Sequence, residues 1–261
     1  IFEENKIMNG SFIYFDGEFD YLLINRCIFD GLNGIENGCL FLSIYSYTFT
    51  FTNNILKNIN SQVQSDCICK IDCHDLIQSF VVSNMSFVNN SCNCLYGGGI
   101  GFTFEGINKL IFLECTFINN KAIQDKTISR PIDDSTHRYY NGDGGGIQVG
   151  YLCSNIYTIV IFDSCIFKEN KSKRHGGAIA IQTMSVIKII NCTFNNNIAN
   201  YQFETFSLDL LYDDHFYSHQ EGKGGSIYIN PSFKTEPLKC DQHTKTFISS
   251  VLIEKCTFNS N

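Results

Sequence analysis

The sequence predicts an all-β fold in which short strands wind into a parallel β-helix. A two-part motif recurs along the chain, and the residues around it alternate between apolar and polar. Residues 159–181 show the unit in full, IVIFDSCIFKENKSKRHGGAIAI, as C-x-F-x-x-N followed by G-G-A-I. Alternation with a period of two over short runs is typical of strands, and no stretch has the 3.6-residue period of a long helix.

The first half of the motif recurs with a Phe, or a substitute for it, at a fixed place. We assign this inward Phe position to Phe29, Ile55, Phe87, Phe117, Phe167, Phe194 and Phe258. The Asn position, three residues later, is assigned to Asn58, Asn90, Asn120, Asn170 and Asn197. The Cys position, two residues before the Phe position, holds Cys27, Cys115, Cys165, Cys192 and Cys256.

The spacing between copies gives the size of one turn. Cys165 and Cys192 are 27 residues apart, which lies within the period range of solenoids. Each such interval holds three apolar runs. We therefore expect three short strands per turn and about seven to eight turns, each stacked on the next at about 4.8 Å.

Each repeated position has a physical role in this arrangement. Phe side chains from successive turns would stack inside the coil, where burial of each contributes about 1.5–3 kcal/mol. Buried Cys would pack as a small apolar side chain. Asn would satisfy backbone groups at a corner and tolerate a left-handed conformation there. The paired Gly residues would permit a positive φ, or close approach of two backbones, at the next corner.

The ordered series of F-x-x-N and G-G-A-I motifs resembles the repeats of the chlamydial polymorphic outer-membrane protein family. Similar repeats occur in large surface proteins of some protists. The resemblance covers essentially the whole chain. It implies a right-handed parallel β-helix, display at the cell surface or outside the cell, and adhesion rather than catalysis.

Composition excludes several other classes of function. The net charge is −7 and no basic stripe is present, which argues against a nucleic-acid partner. No run of 18 apolar residues occurs, so we expect no membrane span in this segment. No motif for a cofactor or a metal centre is recognised. Both ends of the chain cut through a copy of the motif, so we expect residues 1–261 to be one β-helix segment of a longer chain.

Five cysteines form a cluster apart from the stacked Cys position. Because an extracellular chain with closely spaced cysteines is typically oxidised, disulfides are the favoured interpretation for Cys67, Cys69, Cys73, Cys92 and Cys94. Zinc binding, with His74 as a further donor, is the alternative. Among the Asn-x-Ser/Thr sequons, those at Asn84, Asn89 and Asn191 lie where side chains should face solvent, so they are the glycosylation candidates.

Inserted loops leave the coil at one corner on alternate turns. We assign them to residues 60–75, 121–143 and 200–223, and a further insertion, residues 230–245, leaves another corner. In the 60–75 copy the Gly motif is lost. Large apolar side chains in a loop must pack either on the flank of the coil or against a partner. The candidate interaction residues are Tyr139, Tyr140, Phe206, Tyr212, Phe216 and Tyr217.

The sequence therefore favours a structural or adhesive protein that presents a loop-bearing edge. Its partners would be other surface or matrix proteins, copies of itself in a filament, or glycans. The alternative is a β-helix polysaccharide lyase or glycoside hydrolase, since hydrolysis needs two carboxylates. The adjacent pair Asp213 and Asp214 is the best available, but it lies in a loop. His175, beside a Gly pair, is interpreted as a basic corner residue.

Overall fold

Strands wind around one axis in the computed structural model of the chain. The residues that it describes are 13–19, 22–31, 40–46, 48–61, 69–74, 79–92, 100–104, 109–123, 144–151, 158–173, 175–181, 185–199, 224–229 and 250–261. They form strands β1 to β25 and contain no helix. All pairings are parallel, and the strands lie in four sheets.

The strands follow one another through the sheets in a fixed order. Sheet 1 contains β1 (Ile13–Phe19), β4 (Leu40–Ser46), β8 (Cys69–His74), β12 (Ile100–Phe104), β16 (Ile147–Tyr151), β20 (Ile179–Ile181) and β23 (Ile227–Ile229). Sheet 2 contains β2 (Leu22–Asn25), β5 (Thr48–Thr52), β9 (Ser79–Ser83), β13 (Lys109–Leu113), β17 (Thr158–Asp163), β21 (Ser185–Ile190) and β24 (Ser250–Glu254). Sheet 3 contains β3 (Ile28–Asp30), β6 (Ile55–Lys57), β10 (Ser86–Val88), β14 (Thr116–Ile118), β18 (Ile166–Lys168), β22 (Thr193–Asn195) and β25 (Thr257–Asn259). Sheet 4 contains the two-residue strands β7 (Asn60–Ser61), β11 (Ser91–Cys92), β15 (Lys121–Ala122) and β19 (Lys171–Ser172).

This order confirms the predicted parallel β-helix. Each turn passes through sheets 1, 2 and 3, and four of the turns add a strand of sheet 4. The described residues hold seven such turns, which we number coils 1 to 7 along the chain. The short sheet 4 was not predicted, because two-residue strands leave no alternation to detect. A right-handed sense is the hand of about 98% of parallel crossover connections.

Stacked Phe rings fill the coil behind sheet 3. The ring centroids of Phe87 and Phe117 lie 4.9 Å apart, and those of Phe117 and Phe167 lie 4.8 Å apart. The column continues from Phe167 to Phe194 at 5.0 Å and from Phe194 to Phe258 at 4.8 Å. All four pairs are within 6° of parallel. The spacing matches the distance between strands, so the rings are stacked by the backbone pairing itself.

The assignment of Ile55 to this column was wrong by one residue. Phe29 pairs with Leu56, and Leu56 pairs with Phe87. Leu56 is fully buried, whereas Ile55 is only partly buried on the other face of the strand. The copy has two adjacent asparagines, Asn53 and Asn54, and either can be aligned with the Cys position. A shift of one residue moves a strand's side chains to the opposite face.

The same shift corrects the assignment of Asn58. Ile59 occupies the buried Asn position, and its backbone N–H donates to Asn90 Oδ1 at 3.1 Å. Asn58 lies outside, where its Nδ2 donates to Asp30 Oδ1 at 3.0 Å. Asn54, which is fully buried, takes the Cys position of this coil.

A second apolar column lines sheet 2 and joins the first across the interior. Phe112 and Phe162 stack with centroids 4.7 Å apart. Phe162 also meets Phe167 of sheet 3 edge-on, at 6.0 Å and 68°. The two columns are therefore in direct contact inside the coil, as expected of an interior that is packed rather than hollow.

Part of the predicted insertion 60–75 belongs to the coil. Residues 60–61 form β7 and residues 69–74 form β8, which pairs with β4 and β12. Ile71 lies in register with Leu42 and Phe102. Prediction missed β8 because no Gly pair precedes it, although its sequence CKIDCH does alternate with a period of two.

Two glycines at the corner before sheet 1 meet different requirements. Gly176 has a φ of +58°, which L side chains rarely adopt. A Cβ on the next residue, Gly177, would collide with the carbonyl oxygen of Gly225 in the following coil. Gly144 and Gly224 repeat the positive φ of Gly176. The pairs Gly144–Gly145 and Gly176–Gly177 thus each supply one left-handed residue and one close backbone approach.

Replacing Phe167 by Ala should destabilise the fold by about 3–5 kcal/mol, because the change leaves a cavity between two stacked rings. The free energy of unfolding, measured by urea denaturation, checks this. The matched control is Ile166→Ala in the same strand, whose side chain is 45% exposed. Equal losses for the two variants would contradict the inward column.

Candidate functional site

Asparagine side chains form a hydrogen-bonded column at the corner that follows sheet 3. Asn170 shows the pattern: its Nδ2 donates to Phe117 O at 2.9 Å and to Asn197 Oδ1 at 2.9 Å. Its Oδ1 accepts from the backbone N of Asn120 at 3.1 Å and from Asn120 Nδ2 at 3.0 Å. The column runs without a break through Asn90, Asn120, Asn170, Asn197 and Asn261. The amides of Asn90, Asn120, Asn170 and Asn197 therefore each bond to the coil on either side.

The sequence predicts that the buried Asn takes the left-handed conformation at this corner. In the structure the residue before the buried Asn takes it instead. Asn89, Asn119 and Asn196 have φ values of 56°, 51° and 52°. A second set of left-handed residues precedes the Cys position, so coils 2 to 7 each turn twice by this device. The residues are Arg26, Asn53, Asn84, Glu114, Ser164, Asn191 and Lys255 at the Cys corner, and Asn58, Asn89, Asn119, Glu169, Asn196 and Ser260 at the Asn corner. A left-handed non-Gly residue costs about 1–2 kcal/mol, which the corner hydrogen bonds offset.

Thiols at the second corner make the same kind of bond as an amide. Asn54 Oδ1 accepts from Cys27 N at 2.8 Å, while its Nδ2 donates to Ile24 O at 2.9 Å. Cys192 makes the equivalent bonds: its Sγ accepts from Cys165 N at 3.4 Å and donates to Phe162 O at 3.6 Å. The stacked cysteines are thus free and fixed by the backbone.

These contacts affect the ionisation of two buried thiols, Cys165 and Cys192. Hydrogen bonding to the Cys115 thiol, together with burial, raises the pKa of Cys165 well above its ordinary value of 9.0. Hydrogen bonding to the Cys165 thiol and burial do the same to the pKa of Cys192. Since the thiolate is the reactive form, Cys165 and Cys192 are held in their unreactive thiol form.

The predicted loop-bearing edge lies between the end of each coil and the start of sheet 1. The described residues that bracket residues 124–143 are Ile123, just after β15, and Gly144, just before β16. Residues 200–223 are bracketed in the same way by Ala199 and Gly224. Residues 62–68 fall between β7 and β8, which is the equivalent point of the chain two coils earlier. The points at which inserted segments leave the coil therefore recur about every 10 Å along the axis. The insertion 230–245, and the interaction candidates Tyr139, Tyr140, Phe206, Tyr212, Phe216 and Tyr217, lie outside the described residues.

The glycosylation candidates all lie at exposed left-handed corners. Asn84, Asn89 and Asn191 are exposed. Asn89 belongs to a short outer ladder, since Asn119 Nδ2 donates to its Oδ1 at 3.0 Å. Asn191 Nδ2 donates to Asp163 Oδ1 at 3.3 Å. Modification of all three stays a prediction.

The disulfide candidates divide between strands and undescribed segments. Cys69 and Cys73 belong to β8, and Cys92 is buried in β11. Cys67 and Cys94 lie outside the described residues, and the connectivity of the cluster stays a prediction.

Sheet 1 has a closed outer face in coils 5 and 6. Gln148 and Ala180 lie next to each other in register, outside the central core, yet each is at most 1% exposed. His175, interpreted from sequence as a basic corner residue, is instead buried with its ring 4.3 Å from that of Tyr228.

Within the described ranges, no group of three or more His, Cys, Asp or Glu side chains is placed to hold a metal ion. The same residues include no helix of the length and apolarity needed to cross a membrane. Register does place Asp16 and Asp72 in one column of sheet 1, on either side of Ser43. This pair was missed because β8 was assigned to an insertion.

Comparison with known proteins identifies the repeats. Residues 164–182 and 191–230 match the Chlamydia polymorphic membrane protein (Chlamydia_PMP) repeat. The chain is also 26% identical, over 206 residues, to the metabotropic glutamate receptor-like protein R of Dictyostelium discoideum. That alignment covers 76% of this chain and 12% of the relative, so the chain spans a small part of the relative's length. No solved structure matches the chain.

The stability of the protein should fall as pH rises above about 9, because thiols of the unfolded chain ionise there while Cys165 stays protonated in the fold. The unfolded state then binds fewer protons, so the free energy of unfolding decreases with pH. Cys165→Ala should have a shallower decrease, by up to about 1.4 kcal/mol per pH unit. Urea denaturation between pH 8 and pH 10.5, values on the order of the thiol pKa, measures both slopes.

The control for this measurement is Ile166→Ala, which removes a neighbouring side chain but no thiol. Its slope with pH should equal that of the unsubstituted chain. Identical slopes for Cys165→Ala and the unsubstituted chain would show that the thiol column is not protected by the fold.

Proposed function

We propose that this chain, whose repeats are of the Chlamydia polymorphic membrane protein type, is an extracellular structural or adhesive rod. The observation that carries the proposal is the regular return of inserted segments to one corner of a rigid coil. Surface location is supported at a coarse level by the repeat family and by the receptor-like name of the Dictyostelium relative.

The coil supplies rigidity for such a role. The Phe and Asn columns connect every coil from Phe87 to Phe258 and from Asn90 to Asn261. Each coil is bonded to the coils before and after it, so the stack forms an extended rod held together by contacts between neighbouring coils. Loops attached at the corner before sheet 1 would then be held at fixed spacing, as an extended binding surface requires.

The loops would supply the contacts. Tyr and Phe side chains in a loop add large contact area with little loss of conformational entropy on binding. Tyr139, Tyr140, Phe206, Tyr212, Phe216 and Tyr217 are the residues that we propose for this role, toward surface or matrix proteins or glycans. Glycans at Asn84, Asn89 and Asn191, disulfides within the Cys67–Cys94 cluster, and assembly into filaments belong to the same proposal.

A second candidate is a carbohydrate-active enzyme. It is favoured by one observation, the shared register column of Asp16 and Asp72. The two residues lie two coils apart in that column, and glycoside hydrolysis uses a pair of carboxylates. Asp213 and Asp214, the pair selected from sequence, lie outside the described residues. The adhesive role is preferred because the repeat family is one of surface proteins.

Replacing Tyr212, Phe216 and Tyr217 together by Ser should reduce binding to an array of glycans and matrix proteins by about tenfold or more, since aromatic anchors dominate interface energies. The far-ultraviolet circular dichroism spectrum should be unchanged if the substitutions remove a binding surface and leave the fold intact. The matched control is the double variant Phe233→Ser and Leu238→Ser, in the insertion at the other corner.

The adhesive proposal fails if the unsubstituted chain binds nothing on the array, or if the triple and control variants lose binding equally. Release of unsaturated sugars from polyuronides, abolished by Asp72→Asn, would favour the enzyme instead.

A further inference from the structure

Three lysines lie together on the outside of sheet 4, in coils 4 and 5. Lys121 of β15 and Lys171 of β19 are direct partners in register, and Lys173 follows Lys171 by two residues. All three are partly exposed, whereas Ala122 and Ser172 alternate with them and are buried. We call Lys121, Lys171 and Lys173 the lysine cluster.

Basic residues are concentrated at this turn in a chain that is otherwise acidic. The chain has 19 Lys and Arg residues and a net charge of −7, yet four of the seven residues 168–174 are Lys or Arg. The one acid among those seven residues is Glu169, whose Oε1 lies 3.4 Å from Lys168 Nζ. The turn therefore carries an excess of positive charge, which the rest of the sequence does not share.

The register of sheet 4 brings like charges together. Lys121 and Lys171 are paired across strands about 4.8 Å apart. Like charges directly opposite each other on neighbouring strands disfavour the pairing. An anion bound between the two ammonium groups would remove this repulsion, because each ammonium can donate charge-assisted hydrogen bonds to its oxygens.

The lysine cluster lies at the loop-bearing edge, in the turn between two insertions. The backbone N–H of Lys173 donates to Ala122 O at 3.1 Å, beside the point where the inserted segment of coil 4 leaves. On the other side Lys171 is bridged to Ile198, which lies just before the inserted segment of coil 6. In coil 5 itself only Arg174 separates Lys173 from the corner that leads into sheet 1. The cluster is thus placed where a molecule held by the two inserted segments would meet the coil.

We propose that the lysine cluster binds the acidic groups of an anionic glycan, a polysaccharide that carries sulfate or carboxylate groups. The proposal rests on the adhesive role proposed above and names the class of glycan. The same outward column continues from Lys121 to Ser91 and Asn60. Ser91 Oγ donates to Asn60 Oδ1 at 2.7 Å, so neutral hydrogen-bonding groups follow the charged ones.

This mixture of groups suits a glycan chain better than a nucleic acid. The column from Asn60 to Lys171 spans four coils, or about 14 Å, and offers ammonium groups for acids and polar groups for sugar hydroxyls. A nucleic acid is recognised by a longer basic stripe and by aromatic side chains that stack on bases. The described residues of this column include no aromatic side chain, and the net charge of −7 opposes a long polyanion.

Isothermal titration calorimetry of the 261-residue chain tests the site with three probes. These are a heparin oligosaccharide, which carries sulfate groups, an oligogalacturonate, which carries carboxylates, and dextran, which is uncharged. The chain should bind at least one of the anionic probes and not dextran, and the probe that binds identifies the acidic group. The affinity should fall as the salt concentration rises, because salt screens exposed charges.

Two double variants separate a local site from the effect of net charge. Lys121→Gln with Lys171→Gln should weaken binding of the anionic probe by about tenfold or more, because two charged donors are lost. Lys109→Gln with Lys188→Gln removes the same charge from the outer face of sheet 2 and should bind as the unsubstituted chain does. Urea denaturation should show the first variant folded and at least as stable as the unsubstituted chain, since the like-charge pair is removed.

A single variant, Lys173→Gln, tests the same site outside the strand pairing of β15 and β19 and should also weaken binding. The proposal is overturned if neither anionic probe binds, if dextran binds as tightly, or if the two double variants lose affinity equally. Tighter binding of a DNA duplex than of either oligosaccharide would overturn it in favour of a nucleic-acid site. These results are independent of the array test of Tyr212, Phe216 and Tyr217, so failure of this site is distinguishable from failure of the adhesive role.

Discussion

The hydrogen bonds of the buried asparagine column are the constraint on which the rest of the structure depends. Asn120, Asn170 and Asn197 each bond to a backbone carbonyl and to the amide of the next coil. An unsatisfied buried amide would cost about 1–3 kcal/mol, so every coil must bring its corner to the same place. The Phe column repeats at the same interval, because the corner and the adjacent strand of sheet 3 are fixed together.

This constraint also determines where variation is allowed. An inserted segment cannot change the position of a corner, so it must leave and return between two fixed points. The segments around residues 124–143 and 200–223 do so at equivalent places, two coils apart. The outer faces of the sheets differ from one another. Gln148 and Ala180 on sheet 1 are buried, while the outward side chains of sheet 2 include Ile111 and Ile161. A uniform interior thus supports an exterior whose sides have different chemistry.

Prediction from sequence succeeded at positions where each copy of the motif offers a single residue of the required type. Phe117, Phe167 and Phe194 were placed correctly because an aromatic ring in each copy has no other place to be buried. It failed where the chemistry was ambiguous. Asn53 and Asn54 fit the Cys position equally well by type, so Ile55 and Asn58 were assigned instead of Leu56 and Ile59.

Other features could not have been found in this way. β8 lacks the Gly pair that marks its neighbours, so it was merged with an insertion. The left-handed residue before each buried Asn is sometimes Glu169 or Ser260, residue types that carry no signal for that conformation. The burial of His175 against Tyr228 depends on a contact between coils that local sequence does not encode.

Hydrogen exchange of side-chain amides, followed by nuclear magnetic resonance, tests the central claim most directly. If the column exists, the Nδ2 protons of Asn120, Asn170 and Asn197 should exchange as slowly as backbone amides of the surrounding strands. Exchange of those protons as fast as the Nδ2 protons of the exposed Asn196 would contradict it.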